Sequence, residues 1–262
     1  MDFDLTDEQK MIREMSRDFA EEVIAPRAEE MERTGEYPYD IIAKMGELGM
    51  LGIPFPEKYG GSGGDWVGLH LCIEEISRGD SGLGGLVDVT TTVVGQELLA
   101  FGTEEQKQKW LIPLAKGEII GAFALTEPDS GSDAGALRTM AVLKGDEYIL
   151  NGTKQFISNI GLDNSPFVLV AALAEKPKDG RKIISTFIVP KDSPGFTLGK
   201  RYDKMSGHGI ATNEVILEDC RISKDNLLGD PNRGFAQHLA MLETGLGQAD
   251  THGRDTDPAC FQ

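Results

Sequence analysis

Ala124-Leu-Thr-Glu-Pro-Asp-Ser-Gly-Ser-Asp-Ala-Gly-Ala136 stands near the middle of a 262-residue chain, where two kinds of sequence pattern meet. An apolar run, Ile119 to Leu125, leads straight into it. Within a few residues come a hydroxyl at Thr126, a carboxylate at Glu127, a rigid bend at Pro128 and the small polar turn Ser130-Gly-Ser-Asp133. A strand that stops at such a turn leaves N–H groups and hydroxyls at a fixed place, which suits a phosphate or the polar edge of a ring. On spacing alone the stretch reads equally well as a β-turn rich in Gly and Ser.

Toward the N-terminus the pattern is helical. Thr6 with Gln9 forms a capping box, and Met11, Ile12, Met15, Phe19 and Val23 follow at helical spacing. Pro26 is expected to kink or end that helix. Further helices fit Asp40 to Leu48, Trp66 to Ser77 and Gly85 to Phe101. Thr103 with Gln106 opens another, which carries Trp110, Leu111 and Leu114 and ends near Gly117. Residues 1–118 therefore read as an all-helical domain of four or five helices. Between the second and third helices, Leu51 to Asp65 carries a glycine cluster. It has no Gly-Lys-Ser/Thr ending, and Pro54 and Pro56 stand where a nucleotide loop needs a buried strand. It reads as a flexible connection, with Asp65 capping the helix that follows.

Toward the C-terminus the pattern changes to strands. Met140 to Leu143, Tyr148 to Leu150, Gln155 to Ser158, Phe167 to Leu173, Ile183 to Val189 and Asn213 to Leu217 are short apolar runs separated by turn residues. Asn151-Gly152, between two of them, predicts a hairpin turn. Residues 119–232 thus read as an antiparallel β-barrel or sandwich domain. Helices and strands are segregated along the chain, so the fold class is α+β. Residues 233–262 hold the start of a helix from Gly234 to Thr244, then a polar, Gly- and Asp-rich tail without period.

The formal net charge is -17 and the pI about 4.6. This argues against a nucleic-acid partner or an anionic membrane surface, both of which need clustered Lys and Arg. No apolar run is long enough to span a bilayer, and the acidic N-terminus has no targeting pattern. The expected location is cytoplasmic. Cys72, Cys220 and Cys260 are widely spaced and odd in number, and His70, His238 and His252 have no metal-ligand spacing. No metal is expected. His208, in Lys204-Met-Ser-Gly-His-Gly-Ile210, has no partner nearby in sequence and reads as a surface-turn histidine.

Four segments together resemble the acyl-CoA dehydrogenase family of flavoproteins. They are the central stretch 124–136, Gly102 to Glu118, Asn151-Gly-Thr-Lys-Gln-Phe-Ile-Ser-Asn159, and Asn213-Glu-Val-Ile-Leu-Glu-Asp-Cys-Arg221. The resemblance covers about residues 1 to 244. It implies an N-terminal helical domain, a middle β domain and a C-terminal four-helix domain, with FAD as cofactor. The implied reaction is α,β-dehydrogenation of an acyl-CoA thioester, of short or branched chain, with electrons passed to an electron-transfer flavoprotein. The full-length family forms homotetramers. Carried over residue by residue, the stretch from Phe123 to Ser132 lines the flavin through Phe123, Ala124, Leu125, Thr126 and Ser132, with Thr126 at the pyrimidine end of the ring. Ser132 lies by the pyrophosphate arm of CoA. Phe156, Ile157 and Ser158 pack against the other side, with the Ser158 hydroxyl near N5. Relatives mostly have Trp at Phe156 and often Thr at Ser158. Glu127 is expected to be structural rather than catalytic, and Asp133 to stabilise its turn as an Asx residue.

The resemblance stops after Gly245, and relatives usually have Arg at Leu246. The family's catalytic glutamate belongs to the C-terminal helical domain or, in a minority, to the position of Gly245. No catalytic residue is therefore assigned in this sequence, and the chain is expected to be truncated before that domain. The alternative expectation is a non-catalytic remnant that binds FAD or CoA.

Overall fold

The computed structural model describes residues 4–174, 183–231 and 234. The expected tail and most of the expected helix at 234–244 lie outside the described residues, as do His238, His252, Leu246, Gly245 and Cys260.

The helical part comes first. α1 (Asp7–Phe19) starts at the Thr6–Gln9 capping box, whose two reciprocal bonds are both present. Pro26 does not end it. The backbone widens to a π-type turn over Ala20–Ile24, with Ala25 N–H bonded to Ala20 O, and α2 (Ala25–Thr34) continues to Gly35 at φ 64°. Loosening the turn just before a proline makes room for its ring and its missing donor. The same device recurs at Pro113, where the π-type turn Lys107–Leu111 leads into α8 (Ile112–Ala115). Between them lie α3 (Tyr39–Glu47), α4 (Trp66–Gly79), α5 (Ser81–Asp88), α6 (Gln96–Phe101) and α7 (Glu104–Gln106). Asp65 caps α4 by accepting from Gly68 N, as expected.

The glycine-rich connection is not a loose linker. Leu51, Ile53, Phe55 and Tyr59 are buried, and the backbone folds on itself through Ser62 N to Gly52 O and Gly63 N to Phe55 O. A Cβ on Gly61 would lie 2.1 Å from Phe55 O. The glycines serve close backbone approach rather than flexibility.

The β part is an eight-stranded sheet: β1 (Ala122–Ala124), β2 (Met140–Lys144), β3 (Glu147–Ser158), β4 (Phe167–Ala174), β5 (Ile184–Pro190), β6 (Phe196–Arg201), β7 (Thr212–Ser223) and β8 (Leu227–Leu228). The order is β6-β7-β3-β2-β4-β5-β8, with β1 beside β4. It is mostly antiparallel; β1 and β2 each pair with β4 in parallel. β6 was not foreseen, because its alternation is masked by Gly199, Lys200 and Arg201.

Asn151-Gly152 is not a hairpin turn. The β2–β3 hairpin turns at Gly145-Asp146, with Gly145 at φ 64°, and β3 runs unbroken through Asn151 and Gly152. Asn151 instead caps a bulge in β7. Its Oδ1 accepts from Asp219 N at 2.9 Å, and Asp219 sits at φ 48°. Long-range pairing with β7 overrides the local turn signal.

β4 joins the two parts. Its burial is continuous because both faces are covered. Phe167 and Leu169 share a core with Phe55, Trp110 and Leu114, whereas Val168 and Val170 face Phe187, Val189 and Val215. The Trp110 and Phe167 ring centroids are 4.6 Å apart.

Candidate functional site

β1 ends at Ala124, and the chain then passes alongside β3. Gln155 N–H donates to Thr126 O at 2.9 Å. Here β3 advances from Lys154 to Ile157 while its partner β7 goes only from Val215 to Asn213, so one residue bulges out. Phe156 is that residue. Its φ is 60° and it is 58% exposed, and its ring lies against Tyr202 with centroids 4.7 Å apart. An aromatic residue in the left-handed region is strained, and such strain gathers at ligand sites. The bulge brings the two predicted segments together. Phe123, Leu125 and Thr126 on one side and Ser158 on the other are half-buried; Ala124 and Ile157 turn inward and are buried. Neither the Thr126 nor the Ser158 hydroxyl has a hydrogen-bond partner among the described residues. The result is a ledge at the exposed Phe156 ring, near two uncommitted hydroxyls, while Phe123 and Leu125 pack toward the cores around Phe167 and Leu137.

Behind the ledge sits a buried ion pair. Lys154 is 0% exposed; its Nζ is 2.7 Å from Glu127 Oε1 and donates to Leu125 O at 2.9 Å. Glu127 also accepts from Arg138 N at 2.6 Å and from Thr139 N at 2.9 Å. Burial pushes the Glu127 carboxyl up, but the bonds from Lys154 and Thr139 and the charge of Lys154 hold it below its usual value. Burial lowers Lys154 to about 8, against the opposing pull of Glu127. Glu127 is therefore committed to structure, as its sequence context implies.

Ser132 is exposed on the following loop. That turn is held by Ser130, whose hydroxyl donates to Asp133 O at 2.7 Å, and not by an Asp133 side-chain cap. His208 is not a free surface residue either. Its backbone N–H donates to Glu32 Oε2 at 2.9 Å, its Nδ1 lies 2.9 Å from Glu32 Oε1, and its Nε2 is 2.6 Å from Lys204 O. Glu32 belongs to α2, so His208 fastens the β part to the helical part. Sequence reasoning missed Tyr202 and the role of Lys154. The available signal for Lys154 was a lysine inside an otherwise strand-like run, with a carboxylate in the neighbouring loop to satisfy it.

The family model described as the acyl-CoA dehydrogenase N-terminal domain matches residues 6–118, and that for the middle domain of the same family matches residues 122–220. The chain belongs to the acyl-CoA dehydrogenase family. It is 49% identical over 245 residues to a probable acyl-CoA dehydrogenase, YngJ, of Bacillus subtilis, covering 94% of this chain and 64% of that protein. Among solved structures, butyryl-CoA dehydrogenase from Megasphaera elsdenii aligns with a TM-score of 0.88 at 35% identity, covering 99% of this chain and 73% of that one. An acyl-CoA dehydrogenase from Bacillus anthracis complexed with FAD aligns at a TM-score of 0.83 and 37% identity, covering 92% of this chain and 41% of that one. The chain thus spans about two thirds or less of the curated relative and of that FAD complex. Within the family, its described residues correspond to the helical and β parts, and no helix among them is long and apolar enough to cross a membrane.

Proposed function

We propose that this chain binds FAD on the ledge formed by Phe123 to Thr126 and Phe156 to Ser158, and an acyl-CoA thioester beside it, as the flavin-binding part of an α,β-dehydrogenase that passes electrons to an electron-transfer flavoprotein, the base that accepts the α-proton not being among the residues assigned. The observation that carries the reading is the Gln155–Thr126 bond beside a strained, exposed Phe156. It sets an aromatic face and two unspent hydroxyls around one surface, which suits a flat heteroaromatic ring with polar edges. Support also comes from the FAD complex among the structural relatives and from the butyryl-CoA dehydrogenase, which favours a short acyl chain.

When bound, FAD supplies the hydride acceptor. The chain's own residues bind and orient. Thr126 would donate to the pyrimidine edge, where negative charge gathers on reduction. Ser158 would donate on the opposite side, and Phe156 with Tyr202 would shield the ring face from water. Ser132, exposed on its loop, would meet the pyrophosphate arm of CoA. Glu127 is not proposed as the base, because three donors already engage its carboxylate.

The test is to purify the chain, record its flavin spectrum, and add butyryl-CoA or isovaleryl-CoA without oxygen. Bleaching of the flavin band supports dehydrogenation by this chain. A flavin-loaded chain that does not bleach supports the rival reading, a member that binds FAD without catalysis. A chain that takes up no flavin refutes both FAD readings and leaves only a remnant that binds CoA.

A further inference from the structure

We propose that the buried Lys154–Glu127 pair is a positioning hub that fixes the flavin-side segment and the Ser132 loop as one unit, so that binding of FAD and binding of CoA favour each other. This rests on the FAD reading above and extends it to two residues that touch neither ligand.

Three consecutive residues are tied to two consecutive residues of β3. Leu125 O accepts from Lys154 Nζ at 2.9 Å, Thr126 O accepts from Gln155 N at 2.9 Å, and Glu127 Oε1 lies 2.7 Å from Lys154 Nζ. The same Glu127 carboxylate closes the neck of the loop 128–137, through Arg138 N at 2.6 Å and Thr139 N at 2.9 Å. Its backbone closes the first turn, with Glu127 N to Ser130 O at 2.9 Å. The loop's other ties are the Ser130 hydroxyl to Asp133 O at 2.7 Å, Ala136 N to Asp133 O at 3.0 Å, and the exposed Arg138–Asp129 pair at 2.9 Å. Pro128, Asp129 and residues 131–133 are exposed, and Leu137 is its buried apolar anchor.

A loop without its own core takes its position from its neck. Here the buried closure of the neck is one carboxylate, the Arg138–Asp129 pair being exposed on both sides, and that carboxylate is aimed by the lysine that also holds the end of β1. Any ligand that fixes Leu125 and Thr126 therefore fixes the Glu127 side chain and the loop beyond it. In thermodynamic terms the two sites share one ordering cost, and the coupling must be reciprocal.

The experiment measures FAD affinity by fluorescence quenching, with and without saturating coenzyme A, for the parent chain, Lys154→Met and Arg138→Pro. Lys154→Met removes both donated bonds at nearly constant volume. Arg138→Pro removes the N–H that meets Glu127 Oε2 together with the exposed guanidinium bond to Asp129 Oδ2 at 2.9 Å, so Arg138→Ala, which loses only the latter, is run beside it as the control and is expected to keep the coupling; the position is exposed and its predecessor, Leu137, already has a proline-compatible φ of -51° and ψ of 151°. In the parent, coenzyme A tightens FAD binding by at least about fivefold. Folded Lys154→Met, checked by far-ultraviolet circular dichroism, loses at least about tenfold in FAD affinity and most of the coupling. Arg138→Pro keeps FAD affinity within about twofold but loses most of the coupling. Lys154→Met that folds and keeps parental affinity and coupling overturns the proposal. If Lys154→Met does not fold, unchanged coupling in Arg138→Pro overturns it. Absence of coupling in a parent that binds FAD overturns it while leaving the FAD reading intact; absence of FAD binding in the parent overturns both.

Discussion

Gln155 gives its backbone N–H to the carbonyl of Thr126 across 2.9 Å, and the residue that follows it leaves the regular ladder at φ 60°. One bond thereby places the end of β1 against the bulge of β3. Phe156→Gly removes the strain, worth about 1–2 kcal/mol, and also the contact with Tyr202, worth about 1 kcal/mol. The two effects nearly cancel, so the urea midpoint should move little. FAD affinity should nevertheless fall by about tenfold, because the aromatic face is gone. Phe156→Trp should keep it. Equal FAD affinity in Phe156→Gly and the parent would show that the bulge serves the fold alone.

Two capping-box glutamines do more than cap. Gln106 accepts from Thr103 N at 3.0 Å, and its Nε2 donates to Asp225 O and Leu227 O, both at 2.9 Å. Gln9 accepts from Thr6 N and donates to Asp65 Oδ2 at 2.6 Å. Gln106→Ala should cost about 2–3 kcal/mol in denaturant unfolding, more than the usual cap loss of about 1, since it strands two carbonyls of the β part. A loss no larger than that of an ordinary cap would mean that water replaces the glutamine there.

Gly152 meets Thr139 so closely that an added Cβ would lie 2.3 Å from Thr139 Oγ1 and 2.8 Å from its Cα. Thr139 is also a donor to Glu127. Gly152→Ala should therefore destabilise by at least about 2 kcal/mol, with the clash and the displaced bond adding. A thermal midpoint equal to the parent's would show that β3 shifts to absorb the methyl.

The buried pair predicts opposite behaviour at the two ends of the pH scale. Lys154 is lowered to about 8 in the native state, against about 10.4 in an unfolded chain. Between those values the unfolded chain binds more protons, so this group adds stability as pH rises from about 8 to about 10.4. Glu127 is held below its usual value, so its contribution is present above about 4.3 and is lost as pH falls through the lower native value. The unfolding free energy of the parent minus that of Lys154→Met should therefore increase over the alkaline window. A difference that stays flat or falls there contradicts the assignment.

The helices were legible because their signals are local. Thr6–Gln9, Thr103–Gln106 and Asp65 cap where their spacing says they should. The strands were legible as apolar runs, but their pairing was not. Asn151-Gly152 is the strongest local turn signal in the β part, yet it lies within β3, because β7 pairs with that strand on both sides of it, at Leu150–Cys220 and Gly152–Leu217. The site was legible as residues and not as geometry. The segments around Thr126 and Phe156 were singled out from sequence, but the bond between Gln155 and Thr126 and the positive φ of Phe156 arise only from the bulge. His208 shows the same limit: its partner, Glu32, is 176 residues away along the chain.

The surface joining Thr126 to Phe156 and Ser158 is the proposed seat of the flavin. Its most direct test is a titration of FAD into the purified chain, followed by the visible flavin spectrum, alongside a Thr126→Val/Ser158→Ala double variant. The expected result is a saturable shift of the flavin band with one FAD per chain, and a loss of at least about tenfold in affinity when both hydroxyls are removed. A shift of the same size and affinity in the double variant would contradict it.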